Sequence, residues 1–329
     1  MEISLPALSS KSPSHRISVV IPCYRVSQQL GEVLSAIGPE VDDIFCVIDG
    51  CDQGSGAVAE QAAERDGRIR VLYHEKNQGV GAACITGYQR ALQSGATIMV
   101  KIDGDGQMSP SRIPRLVHPI SIGIADYVKA NRFANLEDLR GMPVMRLVGN
   151  AGLSFLTKLS SGYWNLFDPT NGYTALHRDV ASELPWERIS PRYFFESDML
   201  FRLYTIRAVV MDCAMPATYR DEQSNLRIWQ VALQFPFCHL RNYAKPLFYS
   251  YFLRDFNIAS INLVCAILLI LFGAGFGTFQ WMQSVVTNQA ATAGTVMLAA
   301  LPLVLGWLSM LSFLTIDVFN IPTKPRQLQ

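Results

Sequence analysis

Thr97-Ile98-Met99-Val100-Lys101-Ile102-Asp103-Gly104-Asp105-Gly106-Gln107 is an apolar run that stops abruptly on a pair of carboxylates interleaved with glycines. The run reads as a buried strand, and the glycines that follow relax the backbone for a tight turn. Asp103 and Asp105 stand one residue apart on that turn. Hard divalent cations take oxygen ligands, and Mg2+ is commonly held by one or two carboxylates together with substrate phosphates. An Asp-x-Asp by itself is often only a solvated turn; at the carboxyl end of a strand the pattern suits a metal-diphosphate clamp.

Upstream, the same rhythm repeats. Apolar, β-branched segments at Ile17 to Ile21, Ile44 to Ile48 and Ile69 to Tyr73 alternate with helical patterns at Leu30 to Ile37, Ala57 to Arg65 and Val80 to Gln93. Strands apolar on both faces, alternating with helices, predict an α/β fold with a mostly parallel sheet and helices on each side. In such sheets ligands bind beyond the carboxyl ends of the strands, so the residues after each strand are the ones to inspect. Asp49 ends the second strand and is placed to accept hydrogen bonds from a base or ribose. After the third comes Asn77-Gln78-Gly79-Val80-Gly81-Ala82-Ala83, whose small residues let a ligand approach the backbone. A dinucleotide fold would need GxGxxG after the first strand, where Pro22-Cys23-Tyr24-Arg25 stands instead. A P-loop is absent too, so hydride transfer and Walker-type hydrolysis are poor readings.

Downstream of Gly106 the pattern is less regular, broken by Pro110, Pro114, Pro143, Pro169 and Pro185, with a helix predicted over Val144 to Leu159. Between Trp229 and Phe256 aromatics cluster with Arg241, Lys245 and Arg254, a composition suited to helices at a lipid headgroup plane. From there to Asp317 no Asp, Glu, Lys or Arg occurs. A membrane span needs roughly 20 apolar residues, and this stretch predicts a hairpin of spans near Ile258 to Phe276 and Thr295 to Ile316. Basic residues are retained on the cytoplasmic side, and they flank the hairpin at Arg241, Lys245, Arg254, Lys324 and Arg326 while the linker around Trp281 to Ala293 has none. The large domain and both termini are therefore expected in the cytosol. The Ser/Pro-rich start reads as a disordered leader without a secretory signal. The seven cysteines form no CxxC or Cys/His spacing, which argues against a disulfide framework or zinc site, and a net charge of +1 gives no nucleic-acid footprint.

In order along the chain stand Ile17 to Tyr24, Asp49, Asn77-x-Gly79-x-Gly81-Ala82, Asp103/Asp105/Gln107, Asn131-Arg132-Phe133, Asp168-Pro169-Thr170-Asn171-Gly172-Tyr173, Phe195-Glu196-Ser197-Asp198-Met199-Leu200 and the terminal hairpin. With this set the chain resembles a family 2 glycosyltransferase of the Rossmann-like GT-A fold, of the polyprenyl-phosphate or dolichyl-phosphate mannose synthase type. The resemblance implies inverting transfer of a sugar from a UDP- or GDP-linked donor to a polyprenyl phosphate. It implies Mg2+ or Mn2+ held by Asp103, Asp105 and Gln107, and a nucleotide-sugar pocket lined by Pro22, Tyr24, Asp49, Gly79 and Asp103. The acceptor phosphate would meet Arg132, Arg146 and Arg220; planar guanidinium forks suit phosphate oxygens. Catalytic roles fall to Asp105 and, for orienting the acceptor, Asp168 or Asp198.

The chain also departs from the pattern. Arg25 and Val26 stand where many relatives have Asn-Glu, and Ile48 replaces the first carboxylate of the usual Asp-Asp pair, so the base contacts are left open. Gln223, Arg227 and Trp229 are wrongly spaced for the QxxRW of processive synthases. The expected organisation is a leader over 1–16, a catalytic domain over 17–228, juxtamembrane helices over 229–256, two transmembrane helices over 257–318 and a tail over 319–329. Relatives that are tetramers admit a homo-oligomer, and the short leader with a two-span anchor favours a bacterial inner membrane. Another membrane acceptor, lipid or protein, and a non-catalytic scaffold of the same fold are the competing readings.

Overall fold

The computed structural model describes residues 15–132, 144–168, 171–215, 248–254 and 256–329. They form two compact units, one built from the N-terminal part together with Pro322–Gln329, the other from Tyr243–Ile321.

The first unit is a seven-stranded sheet. Strands β1 (Ile17–Cys23), β2 (Asp43–Asp49), β3 (Ile69–His74) and β4 (Ile98–Lys101) are parallel, with β2 and β1 the inner pair of the four. Their side chains are buried almost without interruption in β1, β2 and β4, as strands covered by helices on both faces require. Helices α1 (Leu30–Ser35), α2 (Ser55–Arg65) and α3 (Val80–Gln93) supply the crossovers. Helix α3 lies close on the sheet because Gly87 has no side chain: a Cβ there would fall 2.2 Å from a Val20 methyl. The core gathers Val19, Ile21, Ile44, Ile48, Val100 and Ile102 with Leu30 and Leu34 of α1.

Past β4 the sheet changes character. Helix α4 (Ile113–Ser121) leads to β5 (Tyr127–Asn131), and α5 (Val144–Ser161) covers the predicted helix. Strand β6 (Thr174–His177) then inserts antiparallel between β4 and β5, followed by α6 (Arg178–Glu183), α7 (Phe195–Thr205) and β7 (Val210–Ala214), which pairs parallel with β5. The strand order is β3-β2-β1-β4-β6-β5-β7. Because β6 alone is reversed, the residues that leave β4 and β5 and those that enter β6 meet at one sheet edge.

The ends of the first unit lie elsewhere than the sequence boundaries put them. Arg16, assigned to the leader, pairs with buried Asp43 at 2.8 Å, and its carbonyl accepts the Thr97 and Ile98 amides. Residues 1–14 lie outside the described residues. At the other end the tail belongs to this unit: the Arg326 and Gln327 amides donate to the two oxygens of fully buried Asp126, at 2.9 and 3.2 Å. The Gln327 amide group also donates to the Ile120 and Ala125 carbonyls, and the Arg326 guanidinium grips Glu183 at 2.9 Å.

In the second unit α8 (Ile258–Thr287) and α9 (Ala293–Phe319) form a hairpin, each long and apolar enough to cross a membrane. Asn257 and Ser260 cap the first reciprocally, and Thr292 caps the second. The first helix continues through Trp281, which the sequence reading placed in the linker; the uncharged stretch continues the same helical ladder. Close approach rests on small residues, since a Cβ on Gly306 would lie 2.7 Å from Ile270 Cγ1. Asn262 donates to Ser312 across the pair at 2.8 Å. A π-helical turn at Tyr249–Arg254 precedes α8, and its Tyr251 hydroxyl donates to Asp317 at 2.6 Å. Of the juxtamembrane segment, 229–247 and Asp255 lie outside the described residues.

Candidate functional site

At the end of β2, Asp49 is buried and braces the turn that opens α3. One carboxylate oxygen accepts the Gln78 amide at 2.9 Å and meets His74 Nδ1 at 2.8 Å; the other accepts the Gly79 amide at 2.8 Å. His74 is held in turn by Thr86, at 3.0 Å from Nε2. Asp49, expected from the sequence to line a nucleotide pocket, holds the turn at the start of α3 through its bonds to the Gln78 and Gly79 amides. Gly50 and Gly79 adopt positive φ, +57° and +106°, which non-glycine residues rarely take. A Cβ on Gly79 would strike the Pro191 carbonyl at 2.5 Å, and one on Gly81 the Ser190 carbonyl at 2.4 Å, so the start of α3 is roofed by the segment before α7. Pro22 is buried within β1 opposite Val47, whereas Tyr24, just past the strand, is exposed with the Arg25 guanidinium 5.0 Å from its ring centre.

Beside this turn, Asp103 follows β4. Its carboxylate is 3.0 Å from Lys101 Nζ, and the same ammonium donates to Glu196 Oε1 at 2.9 Å. Burial alone would push Lys101 down, but Asp103 and Glu196 outweigh it and hold the ammonium well above the ordinary lysine range. Gly172 completes the arrangement, since a Cβ there would lie 2.2 Å from Asp103 Oδ2 and 2.5 Å from Lys101 Nζ. The strand end, the loop before β6 and the first turn of α7 therefore converge on one ammonium. Asp105 accepts the Gln107 amide at 3.0 Å, closing the turn. Asp103 is partly open to solvent, with 40% of its side chain exposed, so the donor set offers hard oxygens. No group of three or more His, Cys, Asp or Glu suited to a metal occurs among the described residues. A divalent ion fits such a pair when diphosphate and water complete its shell.

On the far side of β4 lie the acceptor candidates. Asp168, fully buried, takes the Arg132 guanidinium in a two-pronged pair at 2.7 and 3.1 Å, with Asn171 Nδ2 at 3.3 Å. Lys129, also buried, donates to the Asn171 carbonyl, and burial brings its ammonium down to about 8. Next to it in the sheet, Asp212 accepts from Asn131 at 3.0 Å and from the Phe167 amide at 2.7 Å, and burial pushes it up to about 6. Asp198 is tied to its own surroundings, accepting the Ser190 amide at 2.8 Å and pairing with Arg202 at 3.7 Å. Arg146 sits in the first turn of α5 with its side chain outside the described residues, as are Phe133, Pro169, Thr170 and Arg220 altogether.

Sequence reasoning named Asp103 and Asp105 but passed over Lys101, Glu196, Gly172 and His74 as site residues. The signal for Lys101 was a lysine inside an apolar strand two residues before the aspartate, hence on the same face.

The sequence profile of glycosyl transferase family 2 matches residues 18–184. A UDP-N-acetylglucosamine–dolichyl-phosphate N-acetylglucosaminyltransferase of Methanococcus voltae is 30% identical over 190 residues, covering 54% of this chain and 75% of its own. The polyprenol monophosphomannose synthase of Mycolicibacterium smegmatis is 28% identical over 214 residues, covering 64% and 80%. An undecaprenyl-phosphate mannosyltransferase of Micrococcus luteus is 27% identical over 211, covering 63% and 85%. Among solved structures, glucosyl-3-phosphoglycerate synthase from Mycobacterium tuberculosis, in complex with Mn2+, UDP and phosphoglyceric acid, superposes with a TM-score of 0.54 at 20% identity. It covers 70% of this chain and 78% of its own, a likeness of fold. The matched profile runs from β1 through α6, across the edge that carries Asp49, Asp103 and Asp168, and the chain is thus a member of glycosyl transferase family 2, similar in sequence to its polyprenyl-phosphate glycosyltransferases.

Proposed function

We propose that the chain transfers a sugar, with inversion, from a UDP- or GDP-linked donor to a polyprenyl phosphate at the cytosolic face of a membrane. The observation that carries this reading is the convergence of the braced Gly79 turn and the Asp103 turn at one sheet edge, in a chain that also has an apolar helical hairpin. Asp103, Asp105 and Gln107 would hold Mg2+ or Mn2+, which supplies charge neutralisation for the leaving diphosphate. Asp49 keeps the Gln78 and Gly79 amides in place beneath the nucleotide, and Tyr24 offers a ring at the open end of β1. The acceptor is a phosphate monoester, whose second pKa of about 6 leaves it largely dianionic near neutral pH. It needs no strong base, which agrees with Asp168 and Asp198 both being buried and bound by protein groups. We assign Asp168 to holding Arg132, the guanidinium that would meet the acceptor phosphate. Basic residues on both flanks of the hairpin, Arg254 before it and Lys324 and Arg326 after it, support a cytosolic catalytic unit. So does the return of the tail to that unit, because an even number of crossings brings the chain back to its starting side.

The test uses detergent-purified protein, undecaprenyl phosphate, a panel of labelled UDP- and GDP-sugars, and Mg2+ or Mn2+ with and without EDTA. Label is expected in the organic phase from one donor and is lost with EDTA. Donor binding without lipid labelling would move the acceptor to another class, and neither binding nor transfer would sink the enzymatic reading.

A further inference from the structure

We propose that Lys101 is a resident counter-cation of the metal site: its ammonium occupies Asp103 until a divalent ion arrives, so that the ion binds well only together with the donor diphosphate. The inference rests on the reading of Asp103 as a metal ligand and deepens it. Lys101 enters from inside β4, with 1% of its side chain exposed, and stands between the carboxylates of Asp103 and Glu196 at 3.0 and 2.9 Å. A cation this close to Asp103 Oδ1 repels a second cation at the same carboxylate; the ammonium is buried, so solvent screens the repulsion only from the open side of Asp103. An ion alone therefore meets the carboxylates of Asp103 and Asp105 opposed by a fixed positive charge. An ion arriving with a diphosphate brings enough negative charge to offset that opposition. Glu196 is the second seat of the ammonium. It retains Lys101 when Asp103 turns to the ion, so no buried amine is left unpaired. Gly172 gives both side chains room to do this.

A post that merely orients Asp103 predicts the reverse sign, since removing it would weaken metal binding in every state. The experiment is a Mn2+ titration of the full chain in detergent, reading free Mn2+ by electron paramagnetic resonance, with and without UDP or GDP. Lys101→Met is expected to bind Mn2+ alone about ten-fold more tightly than the unmodified protein, and to lose most of the gain that the nucleotide confers. Glu196→Gln leaves the ammonium to Asp103 alone and is expected to weaken Mn2+ binding by a similar factor, a result that stands even if the Lys101 variant does not fold. Folding of each variant is checked by its thermal transition. Unchanged or weaker Mn2+ binding in folded Lys101→Met, or unchanged binding in folded Glu196→Gln, would overturn the proposal. Failure of the unmodified protein to bind Mn2+ even with nucleotide would instead strike Asp103 as a ligand, and the proposal with it.

Discussion

Gly172 shows how much of the site depends on single atoms. Its place between Asp103 and Lys101 has no room for a methyl group, and displacing a reacting geometry by about 1 Å can cost on the order of 100-fold in rate. Gly172→Ala is therefore expected to lower transfer by about 10- to 100-fold while the thermal transition moves little, a split that activity assays and melting read separately. At Asp212 the issue is charge. Burial raises its folded pKa to about 6, and Oδ1 has no hydrogen-bond partner among the described residues. The folded state thus keeps a proton that the unfolded chain releases near pH 4. Its contribution to stability is fully present below that pH and is lost as pH rises through about 6. Melting of the unmodified protein should fall over this window, and Asp212→Asn should flatten the fall by at most about 3 kcal/mol. Legibility at this scale followed distance along the chain. Asp103 and Asp105 are neighbours and announce themselves, whereas Lys101 and Glu196 are 95 residues apart and meet only through the fold. The bonds Asp49 makes were not legible, because its donors at Gln78 and Gly79 are backbone amides without a sequence signature.

Among the elements, those with strong periodicity were readable to within a residue or two. Strands β1 to β3 and helix α3 fall where apolar runs and helical spacing put them, since each buries enough apolar surface to fix its own limits. Strand β6 was not legible. Thr174–His177 is four residues long, shows no alternation, and owes its reversed direction to neighbours rather than to local preference. It is nonetheless the element that brings Gly172 against Asp103. The apolar hairpin was readable from the absence of charge, but its packing contacts were not. Gly306→Leu is expected to force α8 and α9 apart, because even a Cβ there lies 3.0 Å from the Ile270 amide nitrogen. A cysteine pair at Asn262 and Ser312, in a background with Cys265→Ser, should cross-link readily on the normal hairpin and poorly on the Gly306→Leu one. Equal cross-linking would mean that the close approach is not what holds the pair.

Taken whole, the chain is a catalytic unit interrupted by an apolar excursion. Pro322–Gln329 closes the unit after the excursion, with Asp126 receiving two amides from the tail and one from Val209. Deleting 322–329 is expected to cost about 2–4 kcal/mol in hydrogen bonds to a buried carboxylate, seen as a thermal transition lower by about 5 °C or more. Arg326→Ala, which removes the Glu183 pair but keeps the amide, should cost far less, because that pair is partly solvated. Equal losses would assign the closure to the salt bridge. The interruption also dictates an order of manufacture. A ribosome makes the sheet first, then both apolar helices, and only afterwards the strand of residues that seals Asp126, so the unit stays unfinished until the hairpin has been delivered. Completion of the sheet-bearing unit is in this way a record that the apolar hairpin has already been made.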